Sequence, residues 1–261
     1  MDLGLNDKLI VVTGGGAGIG AGITRACIAE GARVVILSRR SENVQAFMYE
    51  MEDTGANCVL IEANLEDTAR CKAAMDEVHE RFGDVYGLVN NAGVNDGVGL
   101  EKGSVEGFVE SLNRNLVHYF AVAHYALEGI KRTQGAIVNI SSKVALTGQG
   151  NTSGYAASKG AQLALTREWA AELLECNIRV NAVLPAEVMT PLYRRWLDAL
   201  GDPEVELKRI TDNIPLGKRM TLASEIAAAT VFLLSPTQSA HTTGQQLVVD
   251  GGYVHLDRAL T

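Results

Sequence analysis

The stretch Leu9-Ile10-Val11-Val12-Thr13-Gly14-Gly15-Gly16-Ala17-Gly18-Ile19-Gly20 decides the fold. Its first five residues are apolar or β-branched, the composition of a strand buried on both faces. Glycines then permit a sharp turn, and an amphipathic run from Gly20 to Glu30 has helical spacing. In such a unit the backbone can approach a pyrophosphate, which the helix N-terminus then holds. The spacing is TGxxxGxG and not GxGxxG, and a tight turn that only packs helix on strand would also use glycine. The position between a first strand and its helix favours a nucleotide site made by Gly14, Gly16, Ala17, Gly18 and Ile19.

Outward from this unit the alternation repeats. Arg33 to Leu37, Cys58 to Ile61, Gly87 to Asn90, Ala136 to Ile140, Arg179 to Leu184 and Gln246 to Val249 read as further strands. Helical patterns fill the gaps at Glu42 to Thr54, Asp67 to Phe82, Val105 to Lys131, Gly154 to Leu174 and Ala223 to Leu234. The pattern predicts one α/β domain over residues 1–261, a Rossmann-type doubly wound parallel sheet of seven strands with helices on both faces. Ligands in such sheets bind at the carboxyl ends of the strands. All five prolines (Pro185, Pro191, Pro203, Pro215, Pro236) fall in the last third of the chain. Between Pro185 and Pro215 the alternation stops for a mostly helical insertion, Leu192 to Ile214. An excursion of that kind after a central strand predicts a substrate lid around residues 189–215.

Composition narrows the partners. The net charge of −8 argues against nucleic acid and anionic membranes, both of which reward a basic face. The opening Met1-Asp2-Leu3-Gly4-Leu5-Asn6-Asp7-Lys8 shows neither a basic region nor an apolar core of a signal peptide, and no apolar run is long enough to span a bilayer. A cytoplasmic protein is expected. Cys27, Cys58, Cys71 and Cys176 are scattered without a CxxC pair, so neither a metal site nor a disulfide framework is expected, and buried thiols are.

The second strand runs into Ser38-Arg39-Arg40. An acid near this point commonly binds the adenosine ribose when NAD is the cofactor. A small hydroxyl followed by two guanidinium groups suits a 2′-phosphate better, so NADP is expected over NAD. Farther on, Tyr155 and Lys159 lie four apart at the start of a helical pattern, on one face. A fixed ammonium one turn away, with the positive nicotinamide ring beside it, would stabilise phenolate and lower a pKa that is ordinarily about 10. Ser142 closes the strand Ala136 to Ile140 and can meet Tyr155 at the sheet edge. Asn115 sits inside a helical pattern, where Asn is a poor interior residue.

Taken in order, Thr13 to Gly20, Asn90-Asn91-Ala92-Gly93, Asn115, Ser142, Tyr155-x-x-x-Lys159, Pro185-x-x-x-x-Thr190 and Asp250-Gly251-Gly252 resemble the short-chain dehydrogenase/reductase family over essentially the whole chain. The resemblance implies a sheet ordered 3-2-1-4-5-6-7 and, commonly, a homotetramer. It implies Tyr155 as acid/base, Lys159 on the nicotinamide ribose and lowering the tyrosine, Ser142 orienting substrate, and Asn115 holding a water in a proton relay. Asn90, Ala92 and Gly93 would line the cofactor, Asn64 and Leu65 its adenine end, and Val188 and Thr190 the carboxamide and phosphates. Asn64 stands where the family usually has Asp, and Pro185-Ala186 where it usually has Pro-Gly.

The segments expected to wall the substrate are polar: Asn95-Asp96-Gly97, the run from Lys143 to Gly154 with Gln149, and Ala186-Glu187. A sugar wants such partners, and an apolar substrate would leave them unpaired. These segments and the tail His255 to Leu260 are similar to the sugar dehydrogenases of the family that oxidise the anomeric carbon of L-fucose and related aldoses to the lactone. Asn95, Ser142, Gln149, Tyr155 and Glu187 are the expected sugar contacts, with Glu187 read as an acid lacking an obvious partner nearby. A carbonyl or 3-oxoacyl reductase is the alternative. Leu256 and Leu260 are expected to be buried in an ordered tail.

Overall fold

A computed structural model describes residues 2–256. The strands are Leu9–Thr13 (β1), Arg33–Ser38 (β2), Cys58–Glu62 (β3), Gly87–Asn90 (β4), Ala136–Ile140 (β5), Arg179–Pro185 (β6) and Gln246–Val249 (β7). They form one parallel sheet in the order β3-β2-β1-β4-β5-β6-β7. The helices are Gly18–Ala29 (α1), Glu42–Asp53 (α2), Thr68–Phe82 (α3), Val105–Leu112 (α4), His118–Thr133 (α5), Ser153–Glu172 (α6), Pro191–Asp198 (α7), Pro203–Asp212 (α8) and Ala223–Leu234 (α9).

The continuous apolar reading of β1 has a simple cause. Successive side chains of a strand point to opposite faces. Leu9 and Val11 join a core with Cys71, Met75 and Val78 of α3 and Tyr119, Val122 and Ala126 of α5. Ile10 and Val12 join the opposite core, with Ile23 and Cys27 of α1 and Ile226, Ala227 and Val231 of α9. Helices therefore cover both faces, and every residue of β1 is buried.

Three strands run one residue past the boundaries expected from sequence, ending at Ser38, Glu62 and Pro185. The run Val105 to Lys131 is not one helix. A π turn, Asn113–Val117, separates α4 from α5. The cause is the Asn115 side chain, which accepts from the Val94 amide at 2.7 Å and donates to the Ser111 carbonyl at 3.0 Å, tying the helix to the loop after β4. Cys176 lies in a 3-10 turn after α6 and is only half-buried, as is Cys58, whereas Cys27 and Cys71 are buried. Burial pushes the Cys27 thiol up to about 12.

After β6 the chain enters the helical insertion. Thr190 caps α7 by accepting from the Tyr193 amide at 3.1 Å, and Pro191 occupies the first turn, where its missing N–H costs nothing. The tail departs from expectation. Leu256 folds back over Gly252 but stays 50% exposed, because the final turn closes on Asp250, which accepts from the Gly252 and Val254 amides, and leaves the outer face of Leu256 in solvent. Leu260 lies outside the described residues. No described helix is long and apolar enough to cross a membrane.

Candidate active site

The carboxyl ends of β1, β4, β5 and β6 converge on one edge of the sheet, and the glycine loop lies over it. A Cβ on Gly20 would collide with the Gly14 carbonyl oxygen, and one on Gly14 would stand 3.2 Å from Ala92 Cα. A Cβ on Gly18, where φ is +53°, would stand 3.2 Å from Thr190 Cγ2. Thr13 fastens the loop to the next strand, its hydroxyl accepting from the Asn91 and Ala92 amides at 2.8 and 3.0 Å. Gly14 thus meets the Ala92 backbone and Gly18 the Thr190 side chain in one close-packed cradle. Helix α1 starts there with Ala17 at its N-cap, so no side chain satisfies its first amides. Uncapped amides at the positive end of a helix dipole fit a phosphate. Asn90, buried at the end of β4, donates to Asn139 Oδ1 at 3.1 Å and leaves its own Oδ1 without a partner among the described residues. The cradle fits a dinucleotide.

The adenine end is more contested than the sequence suggested. Ser38 Oγ donates to the Arg39 carbonyl at 3.2 Å. Arg39 pairs with Glu66 at 3.6 Å and Arg40 with Glu62 at 3.0 Å, both in solvent. Asn64 is exposed and accepts from the Glu66 amide, while Leu65 is buried.

At the other end of the cradle Tyr155 and Lys159 occupy the first turns of α6. Lys159 is buried, with Nζ donating to the Ile140 carbonyl at 2.8 Å and to Gln162 Oε1 at 3.2 Å. Its ammonium stands 5.5 Å from the centre of the Tyr155 ring. A Cβ on Gly93 would meet Asn115 Oδ1 at 2.9 Å and Lys159 Nζ at 3.8 Å, so Gly93, Asn115, Tyr155 and Lys159 are brought together. Ser142 caps a short 3-10 turn beginning at Lys143. The expected lowering of the phenol is not produced by the chain's own residues. Burial pushes Tyr155 up to about 12, a hydrogen bond with Ser142 opposes that, and the Glu187 charge adds to it. Burial draws Lys159 down to about 7.

Glu187 is not the unpartnered acid expected from sequence. It pairs with Lys143 Nζ and also accepts from Tyr193 Oη at 2.8 Å, whereas Arg194 turns away to Asp198 and Glu204. The Lys143 ammonium lies 4.1 Å from the centre of the Tyr253 ring. Burial and the Glu187 carboxylate together push the Tyr193 phenol up. Lys143, Tyr193 and Gln162 were missed in the sequence. Lys143 directly follows Ser142, and Tyr193 opens the insertion, so adjacency was the available signal. Val188 is buried and holds the insertion down through a parallel bridge to Thr221. Asn95 and Gln149 are exposed, and Asn95 accepts from the Gly97 amide. Their loops meet where Gly154 N donates to the Val98 carbonyl at 3.3 Å, which sets both segments at the mouth of the site without bringing their side chains to Tyr155.

Comparison with known proteins agrees with this geometry. A family model described as enoyl-(acyl carrier protein) reductase matches residues 14–254. The L-fucose dehydrogenase of Bos taurus is 36% identical over 94% of this chain and 88% of its own length. The crystal structure of Cj0485 dehydrogenase superposes with a TM-score of 0.94 at 44% identity, covering 100% of this chain and 99% of that one. The L-sorbose reductase from Gluconobacter frateurii, solved with NADPH and L-sorbose, gives a TM-score of 0.92 at 25% identity over 98% of this chain and 100% of that one. The parallel sheet, its glycine cradle and these likenesses together make the chain a member of the short-chain dehydrogenase/reductase family, an oxidoreductase of CH–OH groups that uses a nicotinamide cofactor.

Proposed function

We propose that this enzyme oxidises an aldose, L-fucose or a related sugar, at its anomeric carbon to the lactone. The observation that carries the reading is the polar clamp of Lys143, Glu187 and Tyr193 beside Tyr155. A buried ion pair is costly unless it is well bonded, and it fits hydroxyl groups far better than an acyl chain. The relative acting on L-fucose and the neighbour solved with L-sorbose support the same class.

In this reading Tyr155 takes the proton of the anomeric hydroxyl while Ser142 holds the same oxygen. A nicotinamide held in the glycine cradle would supply the acceptor for the hydride that leaves the anomeric carbon, which balances the two-electron oxidation. Lys159 stands under Tyr155, where its charge favours phenolate, and the Asn115 side chain fixes the loop carrying Gly93 and Val94. Glu187 and Lys143 hold the sugar hydroxyls, Asn95 and Gln149 flank the mouth, and residues 189–215 form the lid. Gly14, Gly16, Ala17, Gly18, Ile19, Asn90, Ala92, Gly93, Val188 and Thr190 hold the dinucleotide, with Asn64 and Leu65 at its adenine.

NADP is the proposed cofactor, through Ser38, Arg39 and Arg40. Their present partners are exposed carboxylates, and exposed ion pairs are weak enough to exchange for a phosphate. Glu62 and Glu66 nearby favour NAD as the second reading. A homotetramer acting in the cytoplasm is proposed as well; Val105, Val109 and Phe120 of α4 and α5 are exposed apolar residues suited to a subunit contact.

The deciding assay follows cofactor reduction across an aldose panel, with NADP and NAD side by side, against a 3-oxoacyl and ketone panel run in reverse. Turnover confined to the second panel would replace the sugar reading with that of a carbonyl reductase. Arg39→Ala should weaken NADP by about 1.5 kcal/mol and leave NAD nearly unchanged. Equal losses for both would remove Arg39 from the phosphate site.

A further inference from the structure

A π turn adds one residue to a helical turn and takes a backbone carbonyl out of the usual i+4 register. The carbonyl of Asn115 lies in such a turn, and it accepts from another helix: Gln162 Nε2 on α6 donates to it at 2.6 Å. The other end of the same amide, Oε1, accepts from Lys159 Nζ at 3.2 Å. Gln162 is fully buried and three residues beyond Lys159, on the same face of α6. The orientation of the amide is forced. Flipped, it would set oxygen against the Asn115 carbonyl and an NH₂ group against the ammonium, and both contacts repel.

The rest of the lysine's surroundings are neutral. Its second acceptor is the Ile140 carbonyl, which Tyr119 Oη also uses, at 2.9 Å. The ring centres of Tyr155 and Tyr119 lie 5.5 and 5.6 Å from Nζ. His118, at the junction of the π turn and α5, feels the lysine's charge through space and is held neutral by burial. Glu187 pairs with Lys143 and acts on Tyr155, and it is not among the acceptors of Lys159. Among the described residues the hydrogen-bond acceptors of Lys159 are therefore two neutral oxygens, and Gln162 supplies one of them.

We propose that Gln162 is a positioning residue for Lys159, bridging it to the Asn115 carbonyl in the π turn and so holding it protonated and aimed beneath Tyr155. The inference rests on the acid/base reading of Tyr155 and Lys159. Burial brings Lys159 close to neutrality, where a single acceptor decides how much of it is charged.

The test uses cofactor-free enzyme with ¹³C-labelled lysine, the Lys159 resonance being assigned by its loss in Lys159→Met. Gln162→Met removes both ends of the bridge, and the Lys159 titration midpoint should fall by about one pH unit. Gln162→Glu keeps an acceptor toward the lysine, so its midpoint should stay or rise. A purely structural role predicts that both variants move together, or that neither moves. Either result would overturn the proposal. Should Gln162→Met fail to fold, a midpoint below wild type in Gln162→Glu overturns it alone. In the active enzyme the acid limb of kcat/KM should move to higher pH in Gln162→Met, because a less charged lysine stabilises phenolate less. Normal turnover by Tyr155→Phe would remove the acid/base reading while the midpoints still judged Gln162. An inactive Tyr155→Phe with an unmoved midpoint in Gln162→Met would remove the Gln162 inference alone.

Discussion

Tyr155 sits where proximity and protonation pull in opposite directions. Enclosure pushes its phenol up to about 12, while the Ser142 hydrogen bond draws it down and the Lys159 ammonium stands 5.5 Å from the ring centre. Replacing Tyr155 with Phe keeps the ring and removes the proton acceptor. A general base contributes about 10²–10⁴-fold, so kcat should drop at least that far with cofactor affinity little changed, as read by steady-state kinetics and fluorescence titration. Near-normal kcat would assign the base elsewhere. Glu187 is a different kind of residue, because its oxygens already have partners. Removing it strands the Lys143 ammonium in a buried place, and breaking a buried pair costs about 3 kcal/mol. Glu187→Ala should therefore lower the melting temperature as well as reduce kcat/KM for the best aldose about 10-fold. Lys143→Met combined with Glu187→Gln should recover much of the stability and none of the sugar affinity. If the pair is only structural, the double variant recovers both.

The segment from α4 through the π turn to α5 shows what a periodic reading of sequence catches and misses. Apolar spacing over Val105 to Lys131 stays helical across the break, since one inserted residue shifts the pattern too little to see. The trace that did show was Asn115, a residue ill suited to a helix interior, and its side chain is what ties the turn to Val94. Partners in space left no such trace. Lys143 reads as a loop lysine and Gln162 as one more polar residue on an amphipathic helix until Glu187 and the π turn are brought against them. The insertion was legible as a helical excursion, but its attachment was not. Tyr193 in the first turn of α7 reaches Glu187 across the start of the site. That bond couples the proposed lid to the clamp. Tyr193→Phe deletes it, a loss of about 1 kcal/mol. The KM for sugar should rise a few-fold while NADP binding is unchanged, and limited proteolysis between α7 and α8 should quicken. Unaltered cleavage and KM would show that the phenol does not hold the insertion in place.

At the scale of the whole molecule the sheet was the most legible part, because strands buried on both faces must be apolar throughout and glycine must stand where Gly14 and Gly20 crowd other backbone. Its dependence on pH was not legible, since that is set by which titratable groups the fold encloses. His118 is buried at the end of the π turn; Nε2 hydrogen-bonds the Arg114 carbonyl at 2.9 Å and Nδ1 has no partner among the described residues. Burial lowers its pKa to about 4, the Arg114 carbonyl opposing and the Lys159 charge assisting. In the unfolded chain the same imidazole titrates near 6.5. Between these values the unfolded state binds a proton that the folded state refuses, so stability falls as pH drops from about 6.5 to about 4 and is fully present above that window. The group's share of that loss is about 3 kcal/mol. Acidic side chains lose stabilising partners over an overlapping range, so the wild-type curve alone would not isolate the histidine. Comparison with His118→Met does, because the carboxylates are common to both proteins and cancel. The stability difference between variant and wild type, from urea unfolding at pH 7.5 and again near pH 4.5, should shift in the variant's favour by about 2 kcal/mol on going to acid. A difference that stays constant with pH would mean that His118 takes up its proton in the folded protein as readily as in the unfolded one.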